Sequence, residues 1–341
     1  MSKEFTHLSL ASAYSFKYGS SHPEQLVQRA AQFNMKSLAL TDQNNLAGAI
    51  RFAQSCESFG IKPILGINLG FIQNTSRITL LARGGSLSSL YRLVSAVNTN
   101  TSDGLLTIEL LERFNQYSKN LIALLGPDSA LNKNLTQRKE GAALSIYQLV
   151  KQHFSTVAIE CVSHLERVNN LRSTTSAARS LAFAVKNQIP AVITNQVRML
   201  DKSDGPILDV LDANRKLSFI NSASVERSNA EAYLKDSQSM HQIADQIARA
   251  AGESSSRGLL KTTADISLEC ELSARGEIGI GGIHLPEPAL FGASNQAQLV
   301  NMLKGKAESK ISYYYQSNQY QKVRGRLEQE ISSIAQLGFT S

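Results

Sequence analysis

Short apolar runs alternate with helical patterns along the first 200 residues of the chain. The runs are bounded by polar or turn residues, as β-strands are. They are Phe5–Leu10, Lys36–Leu40, Ile64–Phe71, Ile78–Ala82, Leu121–Leu125, Val157–Cys161 and Ala191–Thr194. Amphipathic stretches with the helical period lie between most of them, at His22–Phe33, Asn45–Phe59, Ser86–Val97 and Glu166–Val185. This alternation predicts a parallel sheet covered by helices, as a closed α/β barrel or as an open doubly wound sheet.

The pattern changes after about residue 215. Small residues at Ser254–Ser256 and Gly276–Gly282 predict linkers or loops. Apolar positions with the helical period predict helices over Ala230–Ala251, Asn295–Ser309 and Tyr320–Leu337. The second part of the chain is therefore expected to be mostly helical.

Composition narrows the class of protein. The chain has 341 residues, of which 42% are hydrophobic and 18% charged, which is typical of one large or two ordinary globular domains. No apolar run approaches the ~18 residues of a membrane-spanning helix. Three widely spaced cysteines and the absence of a secretory pattern at the start predict reduced thiols in a cytoplasm.

The charge balance is basic, with 35 Lys and Arg against 28 Asp and Glu, and a pI of about 9.2. Such a balance gives weak support for a nucleic-acid partner, although it also serves solubility alone. Basic residues cluster with Tyr313, Tyr314, Tyr315 and Tyr320, which could stack on bases. The candidate DNA contacts are Lys304, Lys306, Lys310, Lys322, Arg324 and Arg326. The alternative is an amphipathic helix with solvated lysines, since Glu308, Glu328 and Glu330 dilute the positive charge.

Several segments resemble one known family. They are FTHLSLASAYSFKYGSS, HPEQLVQRAAQFNMKSLALTDQNNLAGAIRFAQ, GIKPILGINL, IECVSHLERVN and PAVITNQVR. Together they resemble the PHP (polymerase and histidinol phosphatase) domain of bacterial C-family DNA polymerases, the DNA polymerase III alpha subunits. The phrases SHPEQLV and AIRFA favour the error-prone branch of that family. Later, TTADISLECEL and VRGRLEQEISSIAQLGF resemble the family's connecting segment and the helix that leads into the palm domain.

The resemblance implies a fold and a domain order. It implies a distorted, PHP-type (βα)7 TIM-like barrel followed by a mostly helical segment. Residues 1–215 would form the barrel and 216–255 its helical end, while 256–341 would hold a linker and the start of the palm and thumb region. The palm would begin just beyond Phe339, so the resemblance predicts a chain truncated before the palm.

The resemblance also implies where a metal site would be. Family PHP sites gather His, Asp and Glu at strand ends around zinc or manganese, which would activate water, and the family palm binds magnesium. Carried over one position at a time, the ligand positions fall on Ser9, Ala11, Tyr18, Gln43, Asn68, Arg77, Gln196 and Arg198, and only His164 keeps a ligand residue. Amide oxygens bind divalent metals more weakly than carboxylates do, and arginines add fixed positive charge. We therefore expect no metal, no other cofactor and no catalytic residue in this chain.

Residues near these positions have ordinary structural interpretations. We expect His7 to be a strand-end histidine with a common hydrogen bond, Asp42 to cap the next helix, and Cys161 to lie in the core. We also expect Arg77 and Arg198 to pair with Asp42 or other acids. Gln43, Asn68 and Gln196 should then close a neutral hydrogen-bond network.

The resemblance finally implies a function. It predicts a non-catalytic PHP domain that scaffolds an error-prone, DNA polymerase III alpha-like DNA-directed DNA polymerase, a nucleotidyltransferase, in replication, repair or translesion synthesis. The partners would be the palm, thumb and fingers of the polymerase, DNA, and other replication or translesion proteins, with no membrane. Two alternatives remain open: a metal-dependent phosphoesterase or proofreading exonuclease of the PHP superfamily, and a standalone module that binds DNA or a partner.

Overall fold

The computed structural model describes residues 4–71, 73–101, 104–222, 229–283 and 285–340. They form two units, Met1–Ile280 and Gly281–Ser341. Within the described ranges the first unit contains seven strands. These are β1 (Ser37–Leu40), β2 (Lys62–Phe71), β3 (Gln73–Ala82), β4 (Leu105–Leu106), β5 (Leu121–Leu125), β6 (Thr156–Val162) and β7 (Ala191–Thr194). Six of them correspond to apolar runs that the sequence singles out, whereas the two-residue strand β4 is too short to stand out as a run.

The helices of the first unit flank these strands along the chain. They are α1 (Pro23–Gln32), α2 (Ala49–Phe59), α3 (Leu87–Asn100), α4 (Ile108–Arg113), α5 (Asn115–Ser118), α6 (Ala130–Thr136), α7 (Glu140–His153), α8 (Thr174–Lys186), α9 (Gly205–Arg215), α10 (Ser237–Ala250) and α11 (Arg257–Cys270). Three of the sequence predictions begin too early, for α2, α8 and α10. In α8 and α10 a capping side chain sets the true start: Ser173 accepts a hydrogen bond from the Ser176 amide, and Asp236 accepts one from the Ser239 amide.

The sheet has the order β1-β2-β3-β5-β6-β7, and β4 pairs with β2. Its strands are parallel except β3, which runs antiparallel to both β2 and β5. The expectation of an entirely parallel sheet is therefore wrong at β3. The reason is the connection: β2 ends at Phe71 and β3 begins at Gln73, whereas a parallel neighbour needs a crossover of about a dozen residues.

Residues 7–11 join the two edges of this curled sheet. The Thr41 amide, just after β1, donates to the Leu10 carbonyl at 2.8 Å, and the Ala11 amide donates to the Val197 carbonyl, just after β7, at 2.8 Å. The predicted first strand therefore makes backbone hydrogen bonds to both sides. With these bonds, the distorted barrel expected from the sequence is confirmed.

The interior of the barrel is filled by apolar side chains that alternate along the strands. Ile122 and Leu124 of β5 face one cluster, while Leu121, Ala123 and Leu125 belong to a second cluster beneath the helices. Ile266 and Cys270 of α11 complete the inner cluster. The helix is hydrogen-bonded to β7, where the Ile193 amide donates to Thr263 Oγ1 at 2.9 Å. Helix α11 thus packs with the barrel in the first unit, while the domain boundaries at 215 and 255 stay predictions.

The second unit is helical. It contains α12 (Gln296–Glu308), α13 (Ile311–Tyr314) and α14 (Tyr320–Gln336). The first and last of these agree with the sequence predictions. Leu299, Ile311 and Ile331 are its buried helical side chains. Among the described residues of the chain, no helix has both the length and the apolar character needed to cross a membrane.

A close backbone contact in β2 gives a test of the barrel packing. A Cβ atom added at Gly66 would lie 2.5 Å from the Leu80 carbonyl oxygen of β3. We expect Gly66→Ala to lower the free energy of unfolding by roughly 1–3 kcal/mol, because two paired strands must separate. Gly141→Ala in α7 is the matched control: its Cβ would meet nothing within 4 Å, so stability should stay equal or rise by up to ~1 kcal/mol. Urea denaturation measures both, and equal effects would contradict this packing.

Candidate functional site

Two cavities lie at the carboxyl ends of the barrel strands and share Tyr18, Gln43 and Asp128 as lining residues. The larger has a volume of about 720 Å³. Every residue that the sequence comparison assigned to a family ligand position lines one or both cavities. They are Ser9, Ala11, Tyr18, Gln43, Asn68, Arg77, His164, Gln196 and Arg198. The structure therefore brings together nine positions that are up to about 190 residues apart in sequence.

The centre of the site is a chain of hydrogen bonds that begins at a buried carboxyl group. Glu160, on β6, accepts hydrogen bonds from Thr194 Oγ1 at 2.6 Å and Gln196 Nε2 at 3.2 Å. Burial raises the pKa of Glu160, although these hydrogen bonds act in the opposite direction. Gly126 lies against this carboxyl group, since a Cβ there would come within 2.0 Å of Glu160 Oε2. A larger residue at the end of β5 would therefore force the Glu160 side chain to move.

Arg172 continues this chain of contacts from Gln196 to Asp128. Its Nε donates to Gln196 Oε1 at 2.9 Å, and its Nη2 contacts Asp128 Oδ2 at 2.5 Å. Burial disfavours the charge on Arg172, but the neighbouring Asp128 raises the pKa of the guanidinium above its usual range. The side chain is therefore a fixed cation in the site.

The sequence analysis missed Glu160, Arg172 and Asp128. Glu160 carried a usable signal, because a glutamate inside an apolar strand such as TVAIECV needs a buried partner. Arg172 and Asp128 lie in loops 44 residues apart. Their pairing depends on tertiary structure that no local pattern contains.

Arg77 has neutral partners. Its Nη2 donates to the Asn68 carbonyl oxygen at 2.7 Å and to Asn44 Oδ1 at 2.9 Å, and its Nε contacts Asn68 Oδ1. Burial lowers the pKa of Arg77. The expected pairing with Asp42 is wrong, because β3 places Arg77 beside the adjoining strand β2. The amide of Asn68 also donates to Thr79 Oγ1 at 2.8 Å.

Asp42 bonds to the loop that follows residue 11. It accepts from the Ser12 amide at 2.7 Å, from Ser12 Oγ at 2.8 Å and from Ser15 Oγ at 2.6 Å. Burial raises the pKa of Asp42, and the serine hydrogen bonds oppose that rise. The expectation that Asp42 caps a helix is therefore wrong, because its carboxylate accepts hydrogen bonds from Ser12 and Ser15, and α2 has no side-chain cap. Its role is to fix this loop against β1.

Arg198 does pair with an acid, as expected, but the acid is Asp212 of α9. Its Nη1 and Nη2 reach the two oxygens of Asp212 at 3.1 and 2.7 Å, and its Nε donates to the Tyr18 carbonyl oxygen at 3.2 Å. The guanidinium carbon also lies 4.1 Å from the centre of the Tyr18 ring. Arg215 also binds Asp212, with its Nη2 2.9 Å from Asp212 Oδ1. The guanidinium carbon of Arg215 lies 5.4 Å from the centre of the Tyr18 ring.

The two histidines discussed from the sequence are buried and neutral. His164 Nε2 bonds to the Asn195 carbonyl oxygen at 2.7 Å, and burial, together with nearby Arg172, lowers the pKa of His164 to about 3. His7 Nε2 bonds to the Lys235 carbonyl oxygen at 2.9 Å, which confirms the ordinary hydrogen bond, and burial lowers the pKa of His7 to about 4. Within the described ranges, no three His, Cys, Asp or Glu side chains form a group that could hold a metal ion.

The candidate DNA contacts lie in the second unit. Lys304 pairs with Glu328 at 3.0 Å, and Arg326 pairs with Glu330 at 2.7 Å. Lys310, Lys322 and Arg326 line a groove with Tyr314 and Tyr315. Lys306 and Arg324 are exposed. The role of these six residues in DNA binding stays a prediction.

Comparison with known proteins matches residues 7–164 to the PHP domain family. DNA polymerase III subunit alpha of Buchnera aphidicola (Acyrthosiphon pisum) is 27% identical over 98% of this chain and 29% of that protein. The error-prone DNA polymerase of Symbiobacterium thermophilum is 26% identical over 98% of this chain and 31% of its own length. That of Mycobacterium bovis is 38% identical over 89 residues, which are 24% of this chain and 8% of that protein. The chain thus spans less than a third of these curated relatives.

The solved structures that match this chain include a two-domain protein of Bacteroides vulgatus containing a predicted PHP-like metal-dependent phosphoesterase. It is 11% identical, with a TM-score of 0.40 over 67% of this chain and 62% of that one. An amidohydrolase from Chromobacterium violaceum is 13% identical, with a TM-score of 0.37 over 57% of this chain and 87% of its own.

The ion pair of Arg198 and Asp212 gives a stability test. Both side chains are about 15% exposed, so we expect Arg198→Ala to lower the free energy of unfolding by about 1–3 kcal/mol. Arg275→Ala is the matched control, because Arg275 pairs with Glu57 while 75% exposed; its effect should stay within about 0.5 kcal/mol. If the two variants unfold at the same urea concentration, Arg198 does not support the site.

The neutral histidines predict a dependence of stability on pH. In the unfolded chain His7 and His164 take up protons near pH 6.5, whereas in the folded chain they resist protonation until about pH 4 and 3. The unfolded state therefore binds more protons in this window, and the free energy of unfolding should fall as pH drops from 6.5 towards 4. Glu160 contributes with the opposite sign above its ordinary pKa of 4.5, because burial raises its pKa in the folded chain, which then takes up the proton before the unfolded chain does.

Variants separate these contributions. His7→Gln and His164→Gln should each flatten the pH dependence of the unfolding free energy, because a neutral side chain takes up no proton in either state. His22→Gln, at an exposed helix start, should keep the wild-type slope. Denaturant titrations from pH 7 to pH 4 give the slopes, and identical slopes in all four proteins would contradict the assignment.

Proposed function

Residues 7–164 of this chain match the PHP domain family, and on that premise we propose that the chain is a non-catalytic PHP scaffold of a DNA polymerase III alpha-like polymerase. In this role the barrel supports the polymerase core and performs no chemistry of its own. The single observation that carries the proposal is the position of arginine side chains at the strand ends. Arg77, Arg172 and Arg198 line the cavity where the family's ligand positions converge.

The side chains present do not fit a divalent metal ion. A zinc or manganese site needs several imidazole or carboxylate ligands that can turn towards one point. Here Asp128 and Asp212 are already bound to arginines, and Asp42 is bound to two serines. A cation entering the cavity would also be repelled by the guanidinium groups that line it. Metal-activated hydrolysis therefore has no support from this arrangement.

The polymerase context rests on the extent of similarity. Both DNA polymerase III alpha and error-prone polymerases align over about 98% of this chain, so the similarity continues past the matched PHP domain. We propose the remainder of such a polymerase as the partner, with DNA as the ligand of the assembled enzyme and replication or translesion repair synthesis as the process. The phrases SHPEQLV and AIRFA favour the error-prone branch.

We place this function in the cytoplasm. All three cysteines of the chain, Cys56, Cys161 and Cys270, are buried as free thiols. Burial raises the pKa of each thiol, so the reactive thiolate is disfavoured in the core. Such cysteines suit a reducing compartment.

The metal-free proposal predicts the response to chelation. A ligand bound only to the folded state raises the thermal midpoint by mass action, so a structural metal would reveal itself when it is removed. We expect EDTA to leave the midpoint unchanged and added zinc or manganese to leave it unraised. A midpoint that drops in EDTA and recovers with one of these metals would contradict the proposal.

The same proposal predicts the absence of phosphoesterase and exonuclease turnover. The purified chain should not hydrolyse p-nitrophenyl phosphate or shorten a labelled single-stranded DNA in the presence of zinc or manganese. The matched control is the Arg198→Ala preparation, purified identically, since a contaminating enzyme would act equally in both. Metal-dependent turnover that Arg198→Ala alters would favour the phosphoesterase alternative.

The reading frame beyond codon 341 tests the polymerase context. We expect it to continue into a segment that resembles a polymerase palm, with the acidic residues that hold two metal ions. A stop codon directly after codon 341 would contradict the proposal that this scaffold and the polymerase core belong to one polypeptide.

A further inference from the structure

We propose that helix α9 is the contact surface of a homodimer, in which the α9 helices of two copies of this chain pack against each other in antiparallel orientation. Large apolar side chains face solvent along one side of this helix, and its two ends carry opposite charges. The proposed association depends neither on the polymerase context nor on the metal-free site.

The outer side of α9 is apolar. Ile207 and Val210 are 49% and 55% exposed, and they lie three residues apart, so they share one side of the helix. Leu217 follows Val210 by seven residues, or about two helical turns, and it is 86% exposed. Asn214, the exposed residue between them, is the polar member of this row.

The inner side of the same helix is already packed within the first unit. Leu208 belongs to a buried cluster with Met199 and Ala232, and Asp212 binds Arg198. A surface helix normally carries polar residues on the side that faces away from the core. Helix α9 instead has a second apolar side, for which the described part of this chain supplies no cover.

The end of α9 places a leucine where the backbone disfavours it. Leu217 has a φ of 50°. Its amide donates to the Asn214 carbonyl at 3.1 Å, and the Ser218 amide donates to the Ala213 carbonyl at 3.0 Å. These are the hydrogen bonds of a Schellman motif, in which this position is usually glycine. A leucine is strained there, and its exposed side chain offsets none of that strain by burial within the chain.

The exposed apolar residues continue after the helix. Phe219 is 89% exposed, and Ile220 is exposed as well. Together with Ile207, Val210 and Leu217, they make five large apolar side chains that face solvent between residues 207 and 220. Single apolar side chains are ordinary on protein surfaces, whereas a group of this size in one segment marks a site of association.

The charges at the two ends of α9 favour a second copy of this chain as the occupant. Asp201 and Asp204 precede the helix, and Arg215 and Lys216 follow its last turn. In an antiparallel pair, the acidic start of each helix lies beside the basic end of the other, and the helix dipoles also attract. A twofold axis makes both contacts from a single surface.

The mass of the chain in solution tests this association. Sedimentation equilibrium of the full chain from about 1 to 100 μM covers the range in which a small interface associates. We expect the mass to rise from the 37.2 kDa of one chain towards twice that value and to stop there. The dissociation constant should be on the order of 10 μM, because the apolar row is short compared with a standard interface.

Two variants test whether α9 is the surface. Val210→Glu should weaken the dimer at least tenfold, because it brings two buried carboxylates together at the twofold contact. Leu217→Gly should also weaken it about tenfold, yet the variant should unfold at an equal or higher urea concentration, since glycine suits the left-handed position. Leu268→Glu replaces another exposed leucine, on α11, and as the matched control it should dimerise as the wild type does.

A charge exchange tests the antiparallel orientation. Asp204→Lys and Lys216→Asp should each weaken the dimer about threefold or more, because each substitution breaks two symmetry-related contacts. The double variant should regain most of the wild-type affinity, since the exchanged charges attract again across the axis. Circular dichroism verifies that all variants are folded.

The remaining outcomes overturn the proposal in distinguishable ways. A mass of one chain at every concentration would refute the dimer and leave the scaffold proposal standing. Affinity that neither Val210→Glu nor Leu217→Gly changes would refute α9 as the surface, and a double charge variant that stays weak would refute the antiparallel orientation. If a polypeptide extended through the proposed palm is monomeric while this chain dimerises, the apolar side of α9 belongs to a contact with the polymerase core.

Discussion

Fixed positive charge at the carboxyl ends of the barrel strands is the constraint on which the rest of this site depends. Arg172 lies at its centre, with Asp128 on one side and Gln196 on the other. Through Gln196 it is connected to Glu160, buried in β6. A guanidinium differs from a divalent ion because its charge is planar and attached to the chain. The carboxyl groups around Arg172 therefore have hydrogen-bond partners among the protein's own side chains.

This arrangement explains how the strand ends stay together without the ligand set of a metal site. Separate polar contacts fix the surrounding loops: Asp42 holds Ser12 and Ser15 against β1, and Arg198 joins the segment after β7 to Asp212 of α9. Buried polar groups without partners are costly, at ~1–3 kcal/mol each. The carboxylates and arginines of this site that the structure describes meet that requirement either through one another, as Arg172 and Asp128 do, or through neutral side chains, as Arg77 and Glu160 do.

Much of the fold was predictable because strands leave a strong local signal. The bounds of β5 and β7 agree with the apolar runs that mark them, and residue-by-residue similarity indicated nine positions that the structure gathers around two adjoining cavities. The features that could not be predicted are contacts between segments that lie far apart in the sequence. The direction of β3, the contacts of Asp42 and the pairing of Arg172 with Asp128 all follow from which segments meet in space. A sequence pattern can indicate that Arg77 replaces a ligand, but only the sheet shows that its partner is Asn68.

The central claim is that arginine side chains stand at the family's ligand positions and that the barrel needs no metal ion. Elemental analysis of the untagged protein, purified without chelators and dialysed against metal-free buffer, tests this claim most directly. The account predicts zinc, manganese and iron contents well below one equivalent per chain, in a protein that is folded by circular dichroism. One or more tightly held equivalents of any of these metals, lost when His164 is replaced, would contradict it.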